Sequence, residues 1–185
     1  MFADDEKKVK PLKKITRKRL KNIGLYYLKR FETSTDNLRF VLKRRVDKYA
    51  FANSDFDKAE AYQWIEELIE EFKKLNYVDD ERYAAFKVKS YLSSGKSAKY
   101  IHGKLKQKGI SDDIVEDLLE EQNYNPLSSA LKIAKKKRIG PFRKDEEERR
   151  AFRQKDMVKL VQAGFDYDTV LTVLDYDSIS CADEF

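Results

Sequence analysis

Leu105-Lys106-Gln107-Lys108-Gly109-Ile110-Ser111-Asp112-Asp113-Ile114-Val115, followed by Leu118-Leu119, has a degenerate second copy downstream. That copy reads Leu160-Val161-Gln162-Ala163-Gly164-Phe165-Asp166-Tyr167-Asp168-Thr169-Val170, followed by Val173-Leu174. The apolar, Gly and Asp positions agree at a constant offset of 55. In both copies a helical apolar pattern runs into a Gly, the natural residue just past a helix end. A new helix then opens, and in the first copy Ser111 is its expected N-cap. Upstream, Ser34, Leu38 and Leu42 recur as Ser97, Ile101 and Leu105 at an offset of 63. The two offsets predict units of three helices, in which the middle helix ends in a turn that launches an acidic third helix. Unit one has no Gly turn, and a longer connection is expected there over Asp47–Ser54. Units this small bury little core alone, so stacking of neighbours supplies the rest.

The spacing elsewhere agrees with an all-α chain. Apolar residues recur at helical intervals, and the six Gly and three Pro sit between periodic segments. Ile65, Leu68, Ile69, Phe72 and Leu75 mark a long helix starting near Asp55. Ala84, Val88, Tyr91 and Leu92 mark another, capped by Asp79 or Asp80. Asn125-Pro126 reads as N-cap then first helical residue. Arg138-Ile139-Gly140-Pro141-Phe142 is a break, with a helix resuming near Asp145. With an opening helix from about Ile15 to Phe31, nine helices are expected.

Composition excludes several classes. The chain has 185 residues, 39% charged and 41% hydrophobic, with mean hydropathy −0.75. No run of about 18 apolar residues exists, so a membrane span is not expected. The first ten residues hold no apolar segment, so no signal peptide is expected. One Cys excludes a disulfide framework and fits a reducing, cytoplasmic compartment. One His and one Cys leave too few ligands for a zinc site. No metal and no cofactor is expected.

No catalytic constellation emerges. Ser94-Gly95-Lys96-Ser97 resembles the end of a phosphate-binding loop, but that motif needs Gly at position 90, where Ser90 stands, and a preceding strand. A helix stop at Gly95 and an N-cap at Ser97 account for it. His102 lies among Ala98, Ile101 and Leu105 with no second His or Cys to build a triad. Asp79-Asp80-Glu81 point in different directions on a helix and suit its N-terminal dipole rather than one ion.

What remains is charge. The net +6 is the remainder of six blocks: +10 over 1–48, −7 over 49–81, +8 over 82–110, −6 over 111–125, +7 over 126–155 and −6 over 156–185. Helices of opposite charge pack together in many proteins, and that alone accounts for some alternation. Basic stripes at regular spacing also suit a long polyanion or an acidic groove. Chosen on charge, the candidate partner-binding residues are Arg30, Arg39, Lys43, Arg44, Lys96, Lys99, Lys104, Lys106, Arg149 and Arg150.

Several stretches together resemble the RecX family, regulators of the RecA recombinase. They are Gly24-Leu25-Tyr26-Tyr27-Leu28-Lys29-Arg30-Phe31 with Ser34, Leu38 and Leu42; Leu75-Asn76-Tyr77-Val78-Asp79-Asp80-Glu81-Arg82-Tyr83-Ala84; Ile101, Leu105, Lys108, Gly109 and Ile110; and Gly164, Phe165, Asp168 and Val170. Asn76 stands where that family often has Gly. The resemblance covers about residues 20–175. It implies an all-α fold of three tandem three-helix repeats in an elongated, curved arrangement. The organisation expected is a flexible basic arm over 1–14, repeats over 15–78, 79–124 and 125–175, and an acidic tail over 176–185. Tyr77, Asp79, Asp80, Arg82, Tyr83, Gly109 and Gly164 are expected to be structural. The resemblance also implies a monomeric, non-enzymatic modulator, mainly an inhibitor. It would lie in the groove of the RecA–single-stranded DNA filament and suppress strand exchange, ATP hydrolysis and co-protease activity. In the SOS response and recombinational DNA repair its partner is the RecA filament, and it reaches single-stranded DNA directly or through RecA. The competing reading of the basic stripes is an architectural DNA-binding protein.

Overall fold

Nearly every helix start and stop in this chain is set by one short-range hydrogen bond, and those bonds repeat. The computed structural model describes residues 12–176. The expected arm before residue 12 and tail after residue 176 lie outside the described residues. Among these, the helices are α1 (Arg17–Leu28), α2 (Thr35–Phe51), α3 (Lys58–Lys74), α4 (Asp80–Ser93), α5 (Ala98–Lys106), α6 (Asp112–Glu121), α7 (Pro126–Lys137), α8 (Glu146–Gln162) and α9 (Tyr167–Leu174). A 3-10 turn, Gly140–Phe142, fills the expected break before α8.

The starts use side-chain caps. Ser34, Ser97 and Ser111 each accept from the N–H three residues on, at 3.2, 3.2 and 3.4 Å. Asp57, Asn125, Asp145 and Asp166 do the same. Each such cap satisfies a donor that the helix cannot pair internally. The expected equivalence therefore holds in detail: Ser34 and Ser97 are both buried caps, and Ser111 and Asp166 cap α6 and α9.

The stops are more uniform than the sequence reading expected. Six helices end with a left-handed residue, followed by an N–H that returns to the carbonyl five residues back. Gly95, Gly109 and Gly164 provide three of these turns, with φ of 70°, 76° and 92°. The returning bonds are Lys96 to Tyr91 at 3.0 Å, Ile110 to Leu105 at 3.1 Å and Phe165 to Leu160 at 3.4 Å. Asn76, Asn123 and Arg138, with φ of 55°, 48° and 53°, provide the others. Their bonds run from Tyr77 to Phe72, Tyr124 to Leu119 and Ile139 to Ala134. Asn tolerates this conformation, which is why Asn76 substitutes for Gly. The connection expected over Asp47–Ser54 is corrected: α2 continues to Phe51. No helix breaker stands before Asn53, and Asp47 is held on the helix by the Tyr62 hydroxyl at 2.6 Å and Lys58 at 2.6 Å.

Two compact units divide between Asp79 and Asp80. In the first, α1–α3 enclose one core, with Leu20, Leu38, Leu42, Val46, Ile65 and Phe72 fully buried. In the second, α4–α6 gather around Val88, Ile101, Leu105 and Val115, and α7–α9 around Ala134, Leu160, Val170 and Val173. Each three-helix group thus has its own apolar cluster. The chain is all-α among the described residues, built from three successive three-helix groups.

Candidate functional site

Many of the basic side chains are neutralised by the acidic helix of their own group. Within the first unit, Arg17 and Lys21 on α1 meet Glu67 and Glu71 on α3 at 3.1 and 2.5 Å. From α2, Arg39 and Lys43 meet Glu66 at 2.9 and 3.3 Å, and Arg39 also pairs with Asp36. Burial would lower the Arg39 pKa, but the Glu66 and Asp36 carboxylates outweigh it and raise it further. In the second unit Lys106 meets Asp112 at 3.0 Å, and His102 sits between Asp112 and Glu116 at 3.1 and 3.2 Å. Arg150 pairs with Glu146 at 3.3 Å, and Arg149 reaches Glu146 and the Tyr176 carbonyl. Much of the charge alternation is therefore internal pairing between helices.

This divides the ten candidate residues. Arg39, Lys43, Lys106, Arg149 and Arg150 have acidic partners. Arg30, Arg44, Lys96, Lys99 and Lys104 have none among the described residues. Four of these five stack on exposed or half-buried rings: Arg30 on Tyr26 at 4.7 Å, Arg44 on Phe40 at 5.7 Å, and both Lys96 and Lys104 on Tyr100 at 4.6 and 5.7 Å. Such stacking leaves the charge available to an outside anion.

The second unit builds the best-defined site. The loop between α4 and α5 is gripped by the third helical group. A methyl on Gly95 would stand 2.8 Å from the Ser129 carbonyl and 2.9 Å from the Ile133 nitrogen, both on α7. A methyl on Gly164 would stand 2.6 Å from the Ser97 hydroxyl. That hydroxyl donates to the Ala163 carbonyl at 2.7 Å, and the Ala98 N–H donates to the Tyr124 hydroxyl at 3.1 Å. The Ser94–Ser97 stretch is therefore a helix stop and a helix cap, and in addition a docking point for α7 and α8.

The close approach opens a cavity of about 220 Å³ lined by Lys96, Tyr100, Ile133, Lys137, Lys159 and Gln162, with Ala163. Lys104 adds its charge at the Tyr100 ring. Lys137 and Lys159 were not among the candidates. Lys137 belongs to the basic run Lys135–Arg138. Lys159 is the lone base of an acidic block and gave no charge signal. It lies 3.4 Å from Asp156. Asp156 is itself fully buried and gripped by the Arg143 guanidinium at 2.6 and 2.8 Å and by the Gly140 N–H at 3.1 Å. Burial would raise the Asp156 pKa, but those donors hold it below the usual carboxylate value.

The residues expected to be structural sit in helix ends and core. Tyr77 follows the left-handed Asn76 and packs on Phe72, with ring centroids 6.3 Å apart. Asp79 precedes α4, Asp80 lies in its first turn, and Arg82 follows on the same helix. Tyr83 is buried in the second group's cluster. Gly109 and Gly164 are the stops of α5 and α8. Among the described residues no group of three or more His, Cys, Asp or Glu side chains is placed to hold a metal ion. None of their helices is long and apolar enough to cross a membrane.

Fold and surface define a class: a helical-repeat protein with a cationic pocket where its second and third three-helix groups meet. The profile described as "RecX, second three-helix domain" matches residues 79–119. The chain is 33% identical over 165 residues to the Regulatory protein RecX of Myxococcus xanthus, covering 88% of each chain. It is 35% identical over 161 residues to that of Prosthecochloris aestuarii, covering 86% of this chain and 93% of the other. The crystal structure of RecX from Lactobacillus salivarius superposes with a TM-score of 0.60 at 25% identity, over 86% of this chain and 96% of that one. Streptococcal proteins of the same name are longer, and the chain spans 53% and 54% of their length. The chain belongs to the RecX family, a family of regulatory proteins.

Proposed function

We propose that this protein is a non-enzymatic modulator, mainly an inhibitor, of the RecA recombinase. It acts as a monomer in the cytoplasm, in the groove of the RecA–single-stranded DNA filament, and suppresses strand exchange, ATP hydrolysis and co-protease activity. Membership of the RecX family supports the regulatory role. The observation that carries the choice of surface is the Tyr100 pocket, where Lys96, Lys104 and Lys137 have no acidic partner among the described residues and sit on a braced junction. A site on packed helices holds its cations in place, so little order is lost when an acidic surface docks. Lys99 of the same unit adds to the contact, and Arg30 and Arg44 offer a separate set of cations on the first unit, whereas Arg39, Lys43, Lys106, Arg149 and Arg150 contribute less because acidic partners already hold them.

The test compares binding to bare single-stranded DNA with binding to the same strand coated by RecA, across a salt series. A filament modulator binds the coated strand at concentrations where bare DNA is scarcely occupied. A protein acting on DNA alone binds bare strand at least as well, with affinity falling steeply as salt rises; that outcome removes the proposal.

A further inference from the structure

In the first unit, far from any residue of the Tyr100 pocket in sequence, a second cationic cavity opens beside the start of α1. It has a volume of about 270 Å³ and is lined by Lys13, Arg19, Arg45 and Lys48, with Ile15, Ile23 and Tyr49 as apolar wall and Leu12 at its edge. Among the described residues no acidic side chain lines it. None of its four cations has an ion pair among the described residues, although Arg17, Lys21, Arg39, Lys43 and Lys58 of the same unit all do.

Two further observations favour an anion as the ligand of this cavity. The Arg19 Nε is buried and has no hydrogen-bond partner. A buried donor left without an acceptor is costly, and more so on a charged group. The first turn of α1 also carries Arg17, Lys18 and Arg19 and no acid. That is the reverse of what a helix N-terminus favours, because its own dipole is already positive there. Lys48 alone has a separate rationale, since it lies in the last turn of α2, where a cation complements the dipole.

We propose that this cavity is a phosphate-binding site. A carboxylate brings one charge and two oxygens, whereas a phosphate brings more charge and more acceptors, matching a guanidinium fork and several converging cations. The phosphate belongs either to a small soluble compound or to a nucleic-acid strand. The apolar wall of Ile15, Ile23 and Tyr49 keeps water from one side of the cavity and strengthens the contact.

The test titrates the full chain with inorganic pyrophosphate by calorimetry, then repeats the titration with a short oligothymidylate present. Arg45→Glu, on an exposed helix face, and Arg19→Gln are the pocket variants. Lys74→Glu makes the same charge change as Arg45→Glu outside the pocket. Each pocket variant is expected to weaken pyrophosphate binding by about tenfold or more, and Lys74→Glu to leave it within about twofold. Displacement of pyrophosphate by the oligonucleotide assigns the site to strand phosphates, and failure to displace assigns it to a small compound. Absence of pyrophosphate binding, or equal weakening by Arg45→Glu and Lys74→Glu, overturns the site. Arg45→Glu decides the matter if Arg19→Gln fails to fold.

Discussion

The Ser97 hydroxyl accepts from the Tyr100 N–H at 3.2 Å and donates to the Ala163 carbonyl at 2.7 Å. One side chain thus starts α5 and ties it to the end of α8, 66 residues later in the chain. Losing the cap alone costs about 1 kcal/mol, and losing the second bond adds about as much. Ser97→Ala is therefore expected to cost about 2 kcal/mol, and Ser111→Ala, which removes only a cap, about 1 kcal/mol. Urea unfolding of the two variants measures the difference.

Gly164 is constrained twice, by its φ of 92° and by Ser97 lying 2.6 Å from where a Cβ would stand. Gly103, within α5, has nothing within 4 Å of such a position. Gly164→Ala is expected to destabilise by about 1–3 kcal/mol, and Gly103→Ala to stabilise by about 0.5–1 kcal/mol. Opposite shifts in thermal midpoint check both.

Asp156 is buried against Arg143, itself only 13% exposed. Asp156→Ala leaves that guanidinium without its partner and is expected to cost about 3–5 kcal/mol. The depressed pKa of Asp156 fixes the sign of a pH effect. As pH falls the unfolded chain takes up this proton first. The stabilisation is therefore complete above the ordinary carboxylate value, near pH 4, and disappears as pH drops through the lower folded value. Unfolding free energy should fall with acidification in that window, and less steeply in Asp156→Asn.

The parts of this fold that could be read from sequence are those carried by local chemistry. Ser34, Ser97 and Ser111 are caps because a hydroxyl three residues before an N–H closes the same bond anywhere. Gly109 and Gly164 are stops because a left-handed residue is needed there. Asn123 and Arg138 make the same turn without announcing it, since the sequence signal for it is Gly. The end of α2 at Phe51 is not legible for a related reason: Asp47 has the character of a loop residue, and Tyr62 and Lys58, which hold it on the helix, belong to the next one. The surface was the least legible. Charge spacing picked out Arg39, Lys43 and Lys106 as readily as Lys96 and Lys104, because an acidic partner on another helix cannot be seen from composition. Lys159 gives no charge signal because it is the single base in an acidic stretch of sequence, yet it lines the same cavity as Lys96 and Lys137.

The central claim rests on those lysines, and RecA's DNA-dependent ATP hydrolysis tests it most directly. The assay adds substoichiometric amounts of this protein, or of its Lys96→Glu/Lys104→Glu/Lys137→Glu variant, to cognate RecA on single-stranded DNA. All three sites are at least partly exposed, so the variant should melt within a few degrees of the parent. The account predicts that the parent suppresses hydrolysis, and that the variant needs about tenfold or more protein for the same suppression, at low salt. Hydrolysis unaffected by the folded parent protein would contradict the account.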